Sequence, residues 1–184
     1  MKILVLSDQK AEKLGLTDIL INILSNHQTE CYILDHKQFG PCIGCYGCWV
    51  KTPGICVFKD DKANEICDKE INCDAVVLLN EITYGGYSAD IKAFLDRMIS
   101  NISPFFELVN KEMHHKKRYE RFPDWIAVGY GDPTEEERRI FNELNQRNAI
   151  NLGTENHQAI IVKDKEELVK AKETIQRCLK EEAR

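Results

Sequence analysis

No stretch of this 184-residue sequence is apolar over the length that a bilayer crossing requires, so no membrane-spanning helix is expected. The opening MKILVLSDQK holds a short apolar run, but Lys10 and polar residues follow at once. It has neither the long apolar region nor the small-residue cleavage site of a signal peptide. The expected location is therefore cytoplasmic, where thiols stay reduced, and no disulfide framework is expected for the 8 cysteines. An excess of positive charge is lacking too. Lys and Arg number 25 against 30 Asp and Glu, a net charge of −5, which leaves no electrostatic case for nucleic-acid or acidic-membrane partners. Low-complexity tracts, internal repeats and linkers are missing as well, and the length suits one domain over 1–184.

What is present is alternation. KILVLS (2–7), ECYILD (30–35), DAVVLLN (74–80), WIAVGY (125–130) and QAIIVK (158–163) are β-branched and nearly continuously apolar, as strands covered on both faces must be. Helical patterns separate them. Ser88 precedes a helix with Ile91, Phe94, Leu95 and Met98 on one face. Asp132, Pro133, Thr134 and Glu135 predict an N-cap, a first-position proline and an acidic first turn, hence a helix from near 133 toward 150. Asp164 with Glu167 caps a last helix whose stripe is Leu168, Ala171, Ile175, Cys178 and Leu179. Weaker helical patterns cover 17–26 and 61–72. This order predicts an α/β protein of three layers: a five-stranded parallel sheet in the flavodoxin-like order 2-1-3-4-5, with helices on both faces. Two insertions, 37–60 and 101–123, interrupt the alternation.

Ligands of such sheets bind beyond the carboxyl ends of the strands where the strand order reverses, which points to 7–17, 81–88 and 130–133. The first of these offers Ser7, Lys10, Gly15 and Thr17 to an anion, with Asp8 and Glu12 nearby to repel one. Thr17 reads equally as a plain helix N-cap. The second holds Thr83, Tyr84, Gly85, Gly86 and Tyr87, where glycines admit close approach and tyrosines offer aromatic faces to a flat heterocycle. A glycine turn joining strand to helix is the plainer reading.

The insertion after the second strand contains PCIGCYGCWVKTPGIC, with Cys42, Cys45, Cys48 and Cys56. Four thiolates and no histidine suit an iron–sulfur cluster, and two-residue gaps let three sulfurs converge on one cube face. Structural zinc more often takes two separated pairs, and reduced thiols in a turn-rich loop are a third reading. Cys31, Cys67, Cys73 and Cys178 read as small buried hydrophobes. HHKKRYER (114–121) reads as a solvated basic face, with attraction of nicotinamide-cofactor phosphates as the alternative.

TYGGYSADIKAFLDR (83–97) resembles the signature of flavodoxin-like NAD(P)H-dependent oxidoreductases, the NADPH-dependent FMN reductase group. The likeness lies in the aromatic-glycine loop and in Lys92, Phe94, Leu95, Asp96 and Arg97. The cysteine segment followed by KDD (59–61) is similar to the corresponding part of that group, as is MHHKKRYERFP (113–123) to a basic stretch in some members. The spacing Cys-x2-Cys-x2-Cys-x7-Cys resembles the compact pattern of iron–sulfur flavoproteins, which hold a [4Fe–4S] cluster beside FMN. The resemblance implies FMN with its ring against Thr83–Tyr87 and its phosphate near Ser7 and Thr17. It also implies NAD(P)H as donor, an electron acceptor that the sequence leaves open, and a homodimer. In its iron–sulfur form it implies an electron carrier with the cluster on the four cysteines. The chain departs from the group after the first strand, where SDQKAEKLGLTDIL stands in place of a hydroxyl-rich phosphate loop. That departure motivates a third expectation, a module of the same fold without FMN.

Overall fold

The computed structural model describes residues 1–179. In chain order the elements are β1 (Lys2–Asp8), α1 (Gln9–Lys13), α2 (Leu16–Ile23), β2 (Gln28–Leu34), α3 (Gly47–Val50), α4 (Ala63–Ile71), β3 (Ala75–Glu81) and α5 (Ala89–Arg97). A 3-10 turn over Met98–Asn101 leads into β4 (Ile102–Val109), β5 (Glu112–Lys117), β6 (Asp124–Tyr130), α6 (Glu135–Leu152), β7 (His157–Val162), α7 (Lys165–Lys170) and α8 (Lys172–Cys178).

The main sheet runs β2-β1-β3-β6-β7, and every neighbouring pair is parallel. With the two hairpin strands set aside, this is the order 2-1-3-4-5 that the alternation predicts, the flavodoxin-like arrangement. The period of two in the strands divides the core into two layers. Ile3, Val5, Val77 and Leu79 pack against Leu20 of α2, Leu168 of α7 and Ile175 of α8. Leu4, Leu6, Val76 and Leu78 pack on the opposite face against Ile66, Ile91, Phe94 and Phe141 of α4, α5 and α6. Among the described residues, no helix is long and apolar enough to cross a membrane.

Three local expectations are corrected. The helix predicted to start at Asp132 and Pro133 starts later, because Thr134 and Glu137 form a reciprocal capping box that satisfies two end amides at once. The last helix breaks at Ala171 into α7 and α8, and its stripe still reaches the core through Leu168, Ile175 and Leu179. The insertion 101–123 is an antiparallel hairpin of β4 and β5, turned by Asn110 and Lys111 at φ 51° and 70°. Two left-handed residues give the turn a twist that matches its strands. The basic stretch 114–121 begins inside β5, where Lys116 and Lys117, like Glu120 and Arg121 beyond it, are exposed on the expected solvated face. His114 is buried, its Nδ1 3.0 Å from Asn151 Oδ1 and its Nε2 3.2 Å from Glu112 Oε2.

Candidate redox site

The cysteine loop follows β2 and is closed at its base by one ion pair. Arg97, the last residue of α5, is 1 % exposed. Its Nη1 donates to Asp61 Oδ2 at 2.6 Å and to the Gly40 carbonyl at 2.7 Å. Its Nη2 donates to Asp61 Oδ1 at 3.3 Å and to the Phe58 carbonyl at 3.4 Å. Asp61 Oδ2 also accepts the Gly40 amide at 3.1 Å. Both ends of the loop thus meet on one guanidinium, whose planar fork serves a carboxylate and two carbonyls together. Burial works to raise the Asp61 pKa, yet the hydrogen bonds from Arg97 and from the Ala63 and Gly40 amides hold it below the ordinary carboxylate range.

Two further ties shape the loop. Asn64 of α4 pairs with the backbone of Cys56, accepting its amide at 2.8 Å and donating to its carbonyl at 3.0 Å and to that of Phe58 at 2.9 Å. Trp49 Nε1 donates to the carbonyls of Ile99 and Ile102, each at 3.1 Å. The Trp49 ring stacks on Tyr46 with centroids 5.3 Å apart and meets His115 of β5 at 5.4 Å, so the loop is fastened to the hairpin as well. The chain passes over itself at Gly47, where an added Cβ would lie 2.5 Å from Val57 Cγ1. Only glycine allows that approach, which brings the Cys48 limb against the Cys56 limb.

The consequence is that Cys42, Cys45, Cys48 and Cys56 all line one cavity, whose other walls include Ile43, Phe58, Ile99 and a single charge, Arg97. Burial pushes the Cys48 thiol up, and Cys56, Cys42 and Cys45 add to that push. Four cysteines brought to one cavity form a donor set for a soft cation. Among the described residues no three of these sulfurs lie within 4.8 Å of one another. Four thiolates on one zinc ion, each at about 2.3 Å, would stand roughly 3.8 Å apart. The set is wider than a zinc site, and its donors are all sulfur, which fits an iron–sulfur cluster. Of the other cysteines, Cys67 is buried and Cys31, Cys73 and Cys178 are partly so. Burial pushes the Cys67 and Cys73 thiols up to about 12.

At the switch point between β1 and β3 the expected phosphate cradle is built differently. Ser7 Oγ and Thr17 Oγ1 share a hydrogen bond at 2.8 Å, and both residues are buried. Thr17 stands inside α2, whose N-cap is Gly15. Asp8, 1 % exposed, caps α1. Its Oδ1 accepts the Ala11 amide at 2.7 Å and the Tyr130 hydroxyl at 2.8 Å, and its Oδ2 accepts the Glu81 amide at 2.7 Å. Asp90 Oδ2 accepts the Gln9 amide at 3.2 Å. Two amides that an incoming anion would take are thus engaged by the chain's own carboxylates. A dianionic phosphate would also meet the buried charge of Asp8 in a low dielectric. The residues of this turn do not fit an FMN phosphate.

The loop after β3 closes on itself through paired backbone bonds between Thr83 and Gly86 at 3.0 and 2.8 Å. Tyr84 stands at its tip, 89 % exposed. Gly85 has φ +77°, and a Cβ there would lie 2.7 Å from Cβ of Ile140. Tyr87, expected at a ligand, is placed in the core instead. Its hydroxyl accepts from Asn148 Nδ2 at 3.2 Å, and its ring meets Phe141 edge-on.

No protein-family model matches the chain. In sequence it is similar to an iron–sulfur flavoprotein of Methanocaldococcus jannaschii, 39 % identical over 70 residues, and to an iron–sulfur flavoprotein of Methanosarcina thermophila, 29 % identical over 84 residues. The matches take 38 % and 46 % of this chain, and only 35 % and 42 % of those relatives. An FMN-dependent NADH-azoreductase from Bacillus anthracis, solved in complex with FMN, superposes with a TM-score of 0.65 over 97 % of this chain and 98 % of that one. Its identity is 12 %, so the likeness is one of fold. By fold the chain is flavodoxin-like, and over less than half of its length its sequence is similar to iron–sulfur flavoproteins.

Proposed function

We propose that this protein is an oxidoreductase that passes electrons through a [4Fe–4S] cluster held by Cys42, Cys45, Cys48 and Cys56. The supporting observation is that all four thiols of the compact motif line one cavity, beside a buried cation and with no histidine or carboxylate among the lining residues. A cluster bound there would accept and return single electrons. The chain's own part is to fix the thiols in place. Arg97 and Asp61 close the loop, Asn64 holds the Cys56 backbone, Gly47 permits the crossing, and Trp49 pins the outer limb against the hairpin.

A flavin is the second group carried over from the relatives' names. Its ring would be received at the carboxyl edge by the exposed Tyr84 and the turn from Thr83 to Gly86. The β1–α1 turn gives an FMN phosphate no cradle, so a flavin would have to be held by its ring and not by that turn. NAD(P)H is the donor in this reading. A second copy of the chain belongs to it as well, since Phe105, Phe106, Leu108 and Met113 lie exposed on a two-stranded hairpin, a unit that is marginal when uncovered. Light scattering that finds only monomer would remove that last part.

The test is a visible spectrum of protein purified without oxygen and reconstituted with ferrous iron and sulfide. Broad brown absorbance with stoichiometric iron and sulfide, lost on replacing any of the four cysteines by serine, is the expected result. Flavin bands alone would favour a flavin reductase whose cysteine loop only walls the pocket. A colourless chain that takes up neither iron nor flavin would overturn both readings.

A further inference from the structure

We propose that Arg97 is the fixed counter-charge of the cysteine cavity and raises the reduction potential of the group bound there. The proposal rests on the cluster reading above and concerns a residue that is not a ligand.

Arg97 lines the cavity with the four thiols, whereas Asp61 does not, so the cation is the member of the ion pair that stands at the cavity wall. The guanidinium is 1 % exposed, so its field is poorly screened by water. Four of its N–H contacts go to Asp61 and to the carbonyls of Gly40 and Phe58. Its Nε is buried and meets no oxygen acceptor. A buried cation at the wall of a cavity of four thiols, paired on its other side with Asp61, is placed to stabilise negative charge brought into that cavity.

The electron count is simple. Reduction of a [4Fe–4S] cluster adds one electron from an external donor, dithionite in the test, and the guanidinium neither gains nor loses a proton. The added negative charge is stabilised by Arg97, at the cavity wall, and destabilised by Asp61, which does not line the cavity.

The two members of the pair therefore make opposite predictions. Arg97→Gln lowers the midpoint potential in a dithionite titration followed by paramagnetic resonance. Asp61→Asn raises it, because the cation then acts uncompensated. Arg97→Lys keeps a potential close to that of the unmodified chain. A role limited to loop closure would move Arg97→Gln and Asp61→Asn in the same direction, and that result, or no shift in either, overturns the proposal. If Arg97→Gln retains no iron, Arg97→Lys decides: retention of iron at a near-normal potential supports the charge, and loss of iron in both overturns it. An unmodified chain that takes up no iron overturns the cluster reading itself, and this proposal with it. Iron bound by the unmodified chain with same-direction shifts removes this proposal alone.

Discussion

The hydroxyl of Tyr130, at the carboxyl end of β6, donates at 2.8 Å to the carboxylate of Asp8, at the carboxyl end of β1. The same carboxylate accepts the amide of Glu81, at the end of β3. One buried charge thereby ties the ends of three adjacent strands at the place where this fold usually receives a ligand. Burial followed by the nearness of Asp8 pushes the Tyr130 hydroxyl far above its ordinary pKa, which keeps it a donor to Asp8 at neutral pH.

Replacing Asp8 with Ala leaves the Ala11 and Glu81 amides and the Tyr130 hydroxyl without their acceptor. A loss of about 3 kcal/mol is expected from the denaturant midpoint. Asp8→Asn should lose less, because its amide oxygen keeps part of the set. Equal losses in the two variants would show that the carboxylate is not the tie described.

Glu70 is fully buried, and burial pushes its carboxyl up to about 7, against a hydrogen bond from Asn101 that works the other way. Between its ordinary 4.5 and about 7 the folded chain holds a proton that the unfolded chain has released. Stability should therefore fall as pH rises through that window and level off above it, by an amount on the order of 3 kcal/mol. Glu70→Gln should flatten the slope, making the variant the more stable form at pH 8 and comparable at pH 4.5. A slope unchanged by the substitution would refute the assignment.

Trp49→Phe removes the donor shared by the carbonyls of Ile99 and Ile102 while keeping an aromatic face for Tyr46 and His115. A cost of roughly 1–2 kcal/mol is expected. Limited proteolysis should cut within 41–56 several times faster than in the unmodified chain, and an unchanged cleavage rate would show that the loop is held by its base alone.

The two glycines of the β3–α5 loop should respond differently. Gly85→Ala meets Ile140 and sits at φ +77°, so a loss of about 1–3 kcal/mol is expected in thermal or chemical unfolding. A Cβ at Gly86 approaches only the Thr83 carbonyl, at 3.4 Å, and Gly86→Ala should leave stability within about 0.5 kcal/mol. If a flavin ring rests on this turn, a bulkier residue at Gly86 should block it without unfolding the chain.

The sheet was legible because its strands are covered on both faces. Continuous apolar runs such as 75–79 admit few other structures, and Leu168, Ile175 and Leu179 mark a buried helix stripe from spacing alone. The hairpin was not legible. Its turn is Asn110-Lys111 rather than a glycine pair, and Phe105, Phe106 and Leu108 are exposed together, so the alternation that would announce a strand is absent.

At the site the division is sharper. The residue types and spacing of PCIGCYGCWVKTPGIC were enough to single out four thiols as candidate ligands, since donor chemistry is a property of the side chains themselves. That these thiols share one cavity, and that the KDD and Asp-Arg segments supply the clamp that closes it, was decided by tertiary structure, because Asp61 and Arg97 lie 36 residues apart. The same holds after β1. Sequence marked Ser7, Thr17 and Asp8 as a poor anion loop, but only packing turned the Ser7 and Thr17 hydroxyls toward each other and the Asp8 carboxylate inward. The direction a polar side chain faces depends on which donors the fold brings within 3 Å, and Tyr130 reaches Asp8 from 122 residues away.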